Sequence, residues 1–233
     1  MSVSYFFEPI LPDQPGHFSL SEETAKHCVQ VLRMKEGAMI ILTDGKGNLF
    51  DATILSASKK ETVVVLTNKT TVVPNNPVSS IAISFVKNPS RMEWFLEKAT
   101  EIGISHFYPL FTERTEKHHF KADRWENIIV SAMLQSKQVW KPVLHQPIYF
   151  ADLIVQPMEG LKIIAHCKAN AKTPLQRLPK ENQQFILIGP EGDFSTNEIN
   201  AAIQRGFIPT SLGNTRLRTE TAGLAAAVLL QNR

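Results

Sequence analysis

A glycine-containing loop near the C-terminus is the segment of this sequence best suited to hold a ligand. It follows a short apolar run in the stretch Phe185-Ile-Leu-Ile-Gly-Pro-Glu-Gly-Asp-Phe-Ser195, which predicts a buried strand and then a turn. Ligands in open α/β sheets bind just beyond the carboxyl ends of the strands. Gly189 and Gly192 would let the backbone approach a ligand closely, while Pro190 would stiffen the turn. Glu191 adds a carboxylate, although the motif alone is equally compatible with a plain strand-to-helix turn.

A second polar loop, Ser211-Leu-Gly-Asn-Thr-Arg-Leu-Arg-Thr-Glu-Thr-Ala222, precedes an almost wholly apolar segment, Gly223–Leu230. A helix that is apolar nearly all round must be buried, either in the core or against a second subunit. Thr219 or Thr221 could cap this helix. Capping does not explain why arginines, Arg218 among them, occupy the same loop.

The densest basic stretch runs from Arg114 to Arg124 and contains Phe120. Contacts from such side chains to a phosphate backbone give RNA binding that weakens as salt is added, but a solvated loop would have the same composition. The candidate RNA-binding residues, taken from this stretch and from other turns, are Arg33, Lys87, Arg91, Arg114, Lys117, Lys121, Arg124 and Lys137. The net charge of +3 is too small to identify an acidic partner by itself.

The composition is that of an ordinary globular protein, with 233 residues of which 43% are hydrophobic. Cys28 and Cys167 lie far apart, so they suggest neither a four-cysteine zinc site nor a disulfide, and a reducing cytoplasm is expected. His118 and His119 have no acidic or cysteine partner at a metal-binding spacing, so no metal is expected. Neither a signal peptide nor a membrane-spanning segment is expected, because no apolar run has the required length.

Residues 1–73 predict a small β-rich domain. Ser21 is placed to cap a helix whose apolar residues Ala25, Cys28, Val29 and Leu32 have helical spacing. Asp44-Gly-Lys-Gly-Asn48 predicts a hairpin turn with a strand on either side, and Thr62–Val73 predicts a further strand. Pro74-Asn-Asn-Pro77 then breaks both strand and helix, which makes it the predicted domain boundary.

Residues 78–233 alternate between strand and helix patterns, which predicts a mostly parallel sheet. Ser90-Arg-Met-Glu93 and Ser195-Thr-Asn-Glu198 have the spacing of capping boxes and predict the starts of two helices. Gly103 is placed to end the first of these. A further helix is predicted over Ala122–Lys137 from its apolar spacing.

The two C-terminal loops together resemble the RsmE family of bacterial methyltransferases, which modify N3 of a uridine in 16S ribosomal RNA. The resemblance rests on Gly189-Pro-Glu-Gly192, Leu212-Gly213 and Leu217-Arg-Thr-Glu-Thr-Ala222, in that order and at that spacing. Supporting motifs extend the likeness over nearly the whole chain, and they are His27, Val31-Leu-Arg33, Gly37, Glu97-Lys-Ala-Thr-Glu-Ile-Gly103, Pro109 and Thr112-Glu-Arg114.

The resemblance implies the SPOUT class, in which a C-terminal α/β domain is tied in a deep trefoil knot. The expected fold is therefore a knotted, mostly parallel sheet with helices on both faces, preceded by a small PUA-like β-barrel that binds RNA. The knot accounts for an apolar terminal helix, because the chain end is threaded through a loop, which is rare among folds. S-adenosylmethionine would bind among the knotted loops, and the enzyme would act on the small ribosomal subunit as a homodimer.

Under this resemblance the loop residues take expected roles. Arg218 would stabilise the uracil anion near O2 or O4, by the logic of an oxyanion hole. Glu220 is a possible proton acceptor, although a place in the helix cap would also explain it. The residues expected to contact the cofactor, largely through their backbone, are His166, Ile188, Gly189, Pro190, Glu191, Gly192, Leu212, Gly213, Leu217, Thr219 and Ala222.

Three positions depart from the family pattern. Asp193 stands where a second glycine is usual, and Thr115 stands where a serine often follows the arginine. Leu134-Gln-Ser-Lys-Gln138 replaces a Glu-Gln-Ser segment with a following arginine, so Lys137 is the nearest cation there. This last departure affects the expected RNA contacts more than the expected cofactor site.

Two other functions remain open from the sequence. A relative in the same knotted class could methylate a tRNA ribose, and a different class of protein would be a non-catalytic RNA-binding factor in ribosome assembly. The second alternative predicts RNA binding with no affinity for S-adenosylmethionine. Nucleotide-dependent enzymes are disfavoured, because neither a G-x-G-x-x-G nor a G-x-x-x-x-G-K-S/T motif is present.

Overall fold

The computed structural model describes residues 3–58, 61–74, 77–116, 119–168 and 171–232. The chain forms two compact units. The first contains residues 1–74 together with the distant segment Met133–Lys141, and the second contains residues 75–132 and 142–233. The first unit is therefore assembled from two separate stretches of the chain.

The first unit is built on a five-stranded sheet. Its elements are β1 (Ser4–Phe7), β2 (Gly16–Ser19), α1 (Glu22–Lys26), a π-helical turn (His27–Val31), β3 (Met39–Thr43), β4 (Asn48–Ala57) and β5 (Thr62–Thr71). The strand order is β1-β3-β4-β5-β2, and all neighbours are antiparallel except β1 and β3. Alternate residues of the strands face one core that includes Phe6, Leu42 and Phe50. The Glu8 carboxylate, just after β1, accepts hydrogen bonds from the backbone and hydroxyl of Ser21, just after β2.

Local signals in the first unit were correctly predicted except at the end of its helix. The hydroxyl of Ser21 accepts from the Thr24 amide and caps α1, as expected. The predicted hairpin forms between β3 and β4. The helix does not continue in α form to Leu32, because it changes to a π turn after Lys26, and Leu32 is exposed.

The second unit alternates strands and helices as predicted. Its elements are β6 (Val78–Ser84), α2 (Pro89–Ile102), β7 (His106–Phe111), α3 (Ala122–Gln135, whose last turn belongs to the first unit), β8 (Val143–Leu144), β9 (Ile148–Tyr149), α4 (Phe150–Ile154), β10 (Leu161–Ala165), β11 (Thr173–Pro174), a 3-10 turn (Leu175–Arg177), β12 (Gln183–Ile188), α5 (Thr196–Gln204), β13 (Ile208–Ser211) and α6 (Thr219–Gln231). The strand order is β11-β13-β10-β12-β6-β7-β8, with β9 also on β7, and every pairing is parallel.

Helices cover both faces of the parallel sheet, which confirms the predicted α/β layering. Ile81 and Ile83 of β6 point into a core shared with α2, α3 and α6. Ala82, between them, points into a second core shared with α4 and α5. Because successive side chains of a strand alternate between faces, the two cores lie on opposite sides of the sheet.

Two helix boundaries differ from the prediction. The helix expected to start with a capping box at Ser90–Glu93 begins at Pro89, since Asn88 is its N-cap and accepts from the Ser90 amide. Glu93 is instead paired with Arg124. The helix predicted to reach Lys137 ends at Gln135, and Lys137 has a φ of +56°, which is incompatible with a continuing helix.

The other capping signals hold. Ser195 and Glu198 form the predicted capping box at the start of α5, with both reciprocal hydrogen bonds. Gly103 ends α2 at a φ of +99°. The threonine cap considered for α6 does not form, because Arg218 is its N-cap and provides no side-chain hydrogen bond.

Candidate active site

A cavity of about 420 Å³ opens where three neighbouring parallel strands end. It lies beyond the carboxyl ends of β10, β12 and β13 and reaches the first turn of α6. The residues that line it are Ala165, His166, Cys167, Lys172, Ile188, Gly189, Pro190, Glu191, Asp193, Thr210, Ser211, Leu212, Gly213, Asn214, Thr215, Arg216, Leu217, Thr219 and Ala222. The two loops singled out in the sequence therefore converge on one space.

Every residue predicted to contact the cofactor lines this cavity except Gly192. The carbonyl of Gly192 instead accepts a 2.7 Å hydrogen bond from Nη1 of Arg114. Arg114 was predicted to bind RNA, and in the structure its guanidinium holds the loop after β12. The cavity wall also includes residues that the sequence did not single out as contacts, such as Lys172 and Thr210, because only the folded sheet brings them to this edge.

Glycines shape the cavity at two points. A Cβ added to Gly189 would lie 3.1 Å from the backbone nitrogen of Phe194, a tight contact that would require the turn to shift by a few tenths of an ångström. Gly213 has a φ of +148°, in a region that side chains rarely adopt. Both positions therefore present backbone rather than side chains to a ligand.

Glu191 ties three loops together at the cavity rim. Its Oε1 accepts a 3.1 Å hydrogen bond from the backbone nitrogen of Lys87, in the loop after β6. Its carbonyl accepts a 3.3 Å bond from Nη2 of Arg216, in the loop after β13. Glu191, which was predicted to contact a ligand, therefore also fixes the loops on either side through its carboxylate and its carbonyl.

His166 is a buried side chain with unused hydrogen-bonding capacity. It is 6% exposed, and neither ring nitrogen has a hydrogen-bond partner among the described residues. Burial, followed by the charge of Lys172, lowers the pKa of His166 below its ordinary value. The neutral ring offers one donor and one acceptor at the cavity wall. The ammonium of Lys172 donates to the carbonyls of His166 and Lys168 and so holds this turn in place.

Asp193 fastens the loop after β12 to the end of β10. One carboxylate oxygen accepts a 2.8 Å hydrogen bond from the backbone nitrogen of Cys167, and the other accepts a 2.8 Å bond from that of Phe194. The residue has a φ of +62°. The sequence marked this position only as a departure from the family pattern, and its contact with Cys167 depends on the packing of the sheet.

The two predicted catalytic side chains lie at the start of α6 and do not line the cavity. Arg218 is exposed. Glu220 is 6% exposed, with Oε1 3.6 Å from Nε of Arg91. Its Oε2 has no hydrogen-bond partner in the described part of the chain. Arg91, predicted to bind RNA, thus faces a buried carboxylate.

The remaining basic candidates differ in how they are held. Nζ of Lys87 lies 2.8 Å from Oε2 of Glu116, and Nη2 of Arg124 lies 2.7 Å from Oε2 of Glu93. The other described candidates, Lys121 in the second unit and Arg33 and Lys137 in the first, are exposed. Lys117 lies outside the described residues.

The described residues contain no cluster of three or more His, Cys, Asp or Glu side chains that could bind a metal ion. No helix among these residues is both long and apolar enough to span a bilayer.

Family comparison matches both parts of the chain. Residues 74–231 match the RNA methyltransferase domain family, and residues 20–67 match the RNA methyltransferase PUA domain family. The Ribosomal RNA small subunit methyltransferase E of Synechocystis is 31% identical over 226 residues, which cover 93% of this chain and 74% of that protein.

Solved structures agree with these matches. A probable rRNA-methyltransferase from Porphyromonas gingivalis is 37% identical, with a TM-score of 0.89 and 98% of each chain covered. A methyltransferase from Legionella pneumophila, solved with bound S-adenosylmethionine, is 32% identical, with a TM-score of 0.90, and the match covers 99% of this chain and 98% of that one. This chain belongs to the ribosomal RNA small subunit methyltransferase E family, the family that its two cavity loops resemble.

Proposed function

We propose that this protein is an S-adenosylmethionine-dependent methyltransferase that modifies N3 of a uridine in the 16S RNA of the small ribosomal subunit. The observation that carries the proposal is the cavity at the ends of β10, β12 and β13, where both family loops meet. The Legionella relative binds S-adenosylmethionine, and the Synechocystis relative is a small-subunit rRNA methyltransferase.

The cavity fits S-adenosylmethionine in size and in chemistry. Its volume of about 420 Å³ lies within the roughly 300–1,000 Å³ of ligand pockets in general. Gly189 and Gly213 expose backbone groups that can hydrogen-bond an adenine or a ribose. Leu212 and Leu217 supply apolar surface, and the unpartnered ring nitrogens of His166 supply a further donor and acceptor.

Bound S-adenosylmethionine supplies a methyl group that the positive sulfonium already activates, so the protein mainly orients the reactants. The uracil N3 carries a proton, which must leave as the nitrogen becomes nucleophilic. The guanidinium of Arg218 lies at the exposed start of α6 and is suited to stabilise negative charge on O2 or O4. We assign Glu220 as the candidate proton acceptor, because its Oε2 has no partner among the described residues.

A steady-state and binding comparison tests the role of Arg218. Replacing Arg218 with Ala should lower kcat by about 100- to 1,000-fold, the usual effect of losing one donor to a developing anion. The affinity for S-adenosylmethionine should change by less than about twofold, because the interaction that is lost forms only in the transition state. Arg218→Lys keeps the charge but loses the planar fork, so it should recover part of the rate. Full activity in Arg218→Ala would remove this residue from the mechanism.

Glu220 calls for a pH profile, because loss of a proton acceptor and loss of packing affect rate differently. Glu220→Gln keeps the shape of the side chain beside Arg91 and removes its basicity. The rate of this variant should fall at neutral pH and recover as pH rises, when the uracil N3 loses its proton to solvent. A uniform loss at all pH values would point to a structural role.

The RNA substrate is identified by its modified base. We expect a single-stranded or flipped-out uridine, because N3 of a paired uridine is occupied in base pairing. Small-subunit RNA from a strain that lacks this protein should lose one N3-methyluridine in mass analysis, and purified enzyme should restore it. A missing 2′-O-methyl group in tRNA would indicate the tRNA alternative. No cofactor binding by calorimetry would indicate a non-catalytic factor.

We further infer a cytoplasmic homodimer with a knotted C-terminal domain. Trp94 of α2 and Val228 of α6 are large apolar side chains that remain 41% exposed, and their helices pack together. Such positions suit a second copy of the chain. Light scattering should give twice the mass of 26.1 kDa, and Trp94→Lys with Val228→Lys should reduce it to the monomer value. A monomeric wild type would contradict the dimer.

A further inference from the structure

Asp193 lies on the cavity wall in a backbone conformation that favours glycine. Its φ of +62° is in the left-handed region, where Asp and Asn are among the few side chains that occur. The carboxylate is held by the amides of Cys167 and Phe194. A carboxylate has roughly four acceptor sites, so two backbone donors leave acceptor capacity unused.

The charge of Asp193 is not neutralised by an ion pair. No Lys or Arg nitrogen of the described residues lies within 4.0 Å of its oxygens. The two cations of the cavity wall are engaged elsewhere. Lys172 donates to the carbonyls of His166 and Lys168, and Arg216 donates to the carbonyl of Glu191. The half-buried carboxylate therefore contributes a negative charge to the wall.

The proposed reaction changes the charge of the ligand in this cavity. S-adenosylmethionine carries a sulfonium, and once its methyl group has moved to the uracil, S-adenosylhomocysteine retains a neutral thioether. The substrate cofactor is thus one unit more positive than its product. A fixed negative charge on the wall of the same cavity attracts the sulfonium form more strongly than the thioether form.

On the basis of the proposed function, we propose that Asp193 is a specificity-determining residue that favours the cationic cofactor over its neutral product. Its two backbone hydrogen bonds keep the carboxylate fixed at the cavity wall, so the charge acts without reorganisation. The preference lowers inhibition by the accumulated product and assists its exchange for fresh cofactor.

Calorimetric titration with three ligands tests this assignment. The ligands are S-adenosylmethionine, S-adenosylhomocysteine and sinefungin, whose extra ammonium replaces the sulfonium charge. Asp193→Asn keeps a side chain that tolerates positive φ and removes the charge. Its affinity for both cationic ligands should fall between about 5- and 50-fold, the range of one partly screened charge pair. Its affinity for S-adenosylhomocysteine should change by less than about twofold, so the ratio of the two affinities reports the charge.

Two further variants separate charge from structure. Glu181→Gln removes an exposed carboxylate of the same unit away from the cavity and should leave the ratio unchanged. Asp193→Gly accepts the backbone conformation without strain, so it provides the same measurement if thermal unfolding shows that the Asn variant is not folded. An equal loss for all three ligands, or no loss, would overturn the assignment of Asp193. The assignment of Asp193 would also be overturned if the wild type bound S-adenosylhomocysteine as tightly as the two cationic ligands. If the wild type bound none of the three ligands, both the assignment and the proposed function would be overturned.

Discussion

Lys121 and Arg124 carry the same charge on neighbouring turns, but they differ in how free they are to meet RNA. Arg124 makes a bidentate pair with Glu93, with its Nη2 2.7 Å from Oε2. Hydrogen bonding to this guanidinium lowers the pKa of the Glu93 carboxyl below its ordinary value. Lys121 is exposed at the start of α3. Two basic residues that are equivalent in the sequence therefore differ in how readily their side chains can contact an RNA phosphate.

This difference gives a prediction for RNA affinity as a function of salt. Lys121→Ala should reduce the slope of log K against log salt by about one, the effect of one lost phosphate contact. Arg124→Ala should reduce the slope less and should lower the melting temperature, because it leaves Glu93 without its partner. Filter binding at several salt concentrations measures the slope. Identical slopes for wild type and Lys121→Ala would place this basic stretch outside the RNA interface.

At the residue scale, the sequence indicated which glycines lie at the cavity but not which protein groups the charged side chains contact. Gly189 and Gly213 were identifiable because glycine leaves a local signal in the sequence. The approach of Arg91 to Glu220 joins the first turns of α2 and α6, which are far apart in the chain. No local pattern encodes such a contact, because it exists only after the helices have packed.

At the element scale, α6 depends on a glycine at its closest approach to the core. A Cβ on Gly223 would lie 2.6 Å from Cε2 of Phe95 and 2.8 Å from Cδ1 of Ile83. Both neighbours are buried, so neither has free space into which to move. The apolar terminal helix predicted from the sequence is thus packed directly on α2 and β6.

Gly223→Ala should therefore destabilise the protein. Overpacking of this kind costs about 1–3 kcal/mol, and the gain in helix propensity offsets at most about 1 kcal/mol. Urea unfolding measures the change in the free energy of unfolding. Thr221→Ala, at an exposed position of the same helix, is the matched control and should change it little. Greater stability in Gly223→Ala would show that the helix has room to move outward.

A pair of histidines connects β7 to the segment after β8. Nδ1 of His106 lies 3.0 Å from Nε2 of His145, and the ring of Tyr108 stacks on His145 at 3.8 Å between centroids. Burial lowers the pKa of both histidines below the ordinary value of 6.5. One ring must donate and the other accept, so the hydrogen bond is lost when both rings are protonated.

The contribution of this pair to the free energy of unfolding should therefore be fully present well above pH 6.5 and be lost as the pH falls through 6.5 toward the lowered pKa values of the folded rings. The unfolded chain takes up protons near pH 6.5 while the folded rings still resist them, so acid favours unfolding. His145→Gln should make this pH dependence shallower by about one proton. Urea titrations between pH 5 and pH 8 measure it, with the exposed His17→Gln as the control. Equal slopes for the wild type and the two variants would mean that the pair does not titrate on unfolding.

The sequence predicted most long elements because their apolar spacing is regular, but it missed the shortest ones. β8, β9 and β11 each have two residues, which is too short for an alternating pattern to be seen. The start of α2 was placed two residues late, because Ser90 and Glu93 imitate a capping box while Asn88 is the actual N-cap and Pro89 the first helical residue. Both weak and competing local signals therefore limited the prediction.

On the scale of the whole molecule, the layered α/β architecture followed from the alternation of strands and helices. The segment Met133–Lys141 could not be assigned to the first unit in that way. It belongs there through contacts that the sequence does not encode locally. Lys141 donates to the Gly45 carbonyl, Gly47 donates to the Val139 carbonyl, and Trp140 donates through Nε1 to the Val72 carbonyl.

Removal of the Trp140 ring should loosen the hairpin turn between β3 and β4. Hydrogen exchange of the Gly47 amide in Trp140→Ala should be at least about tenfold faster than in the wild type, since each 1.4 kcal/mol of local stability is a factor of ten. Tyr149→Ala is the comparison, because it removes an exposed aromatic ring in the second unit. Unchanged exchange in Trp140→Ala would mean that the turn is stable by itself.

The discontinuous first unit also limits how genes of this family can recombine. The chain leaves the first unit near residue 74, returns at residue 133 and leaves again after residue 141. A crossover near residue 74 with a distant relative would pair a foreign turn with the native Trp140. A foreign turn with a side chain in place of Gly47 would not fit there, because a Cβ would lie 2.5 Å from Cζ2 of Trp140. Residues 44–48 and 139–141 are therefore expected to be inherited together, although about 90 residues separate them in the gene.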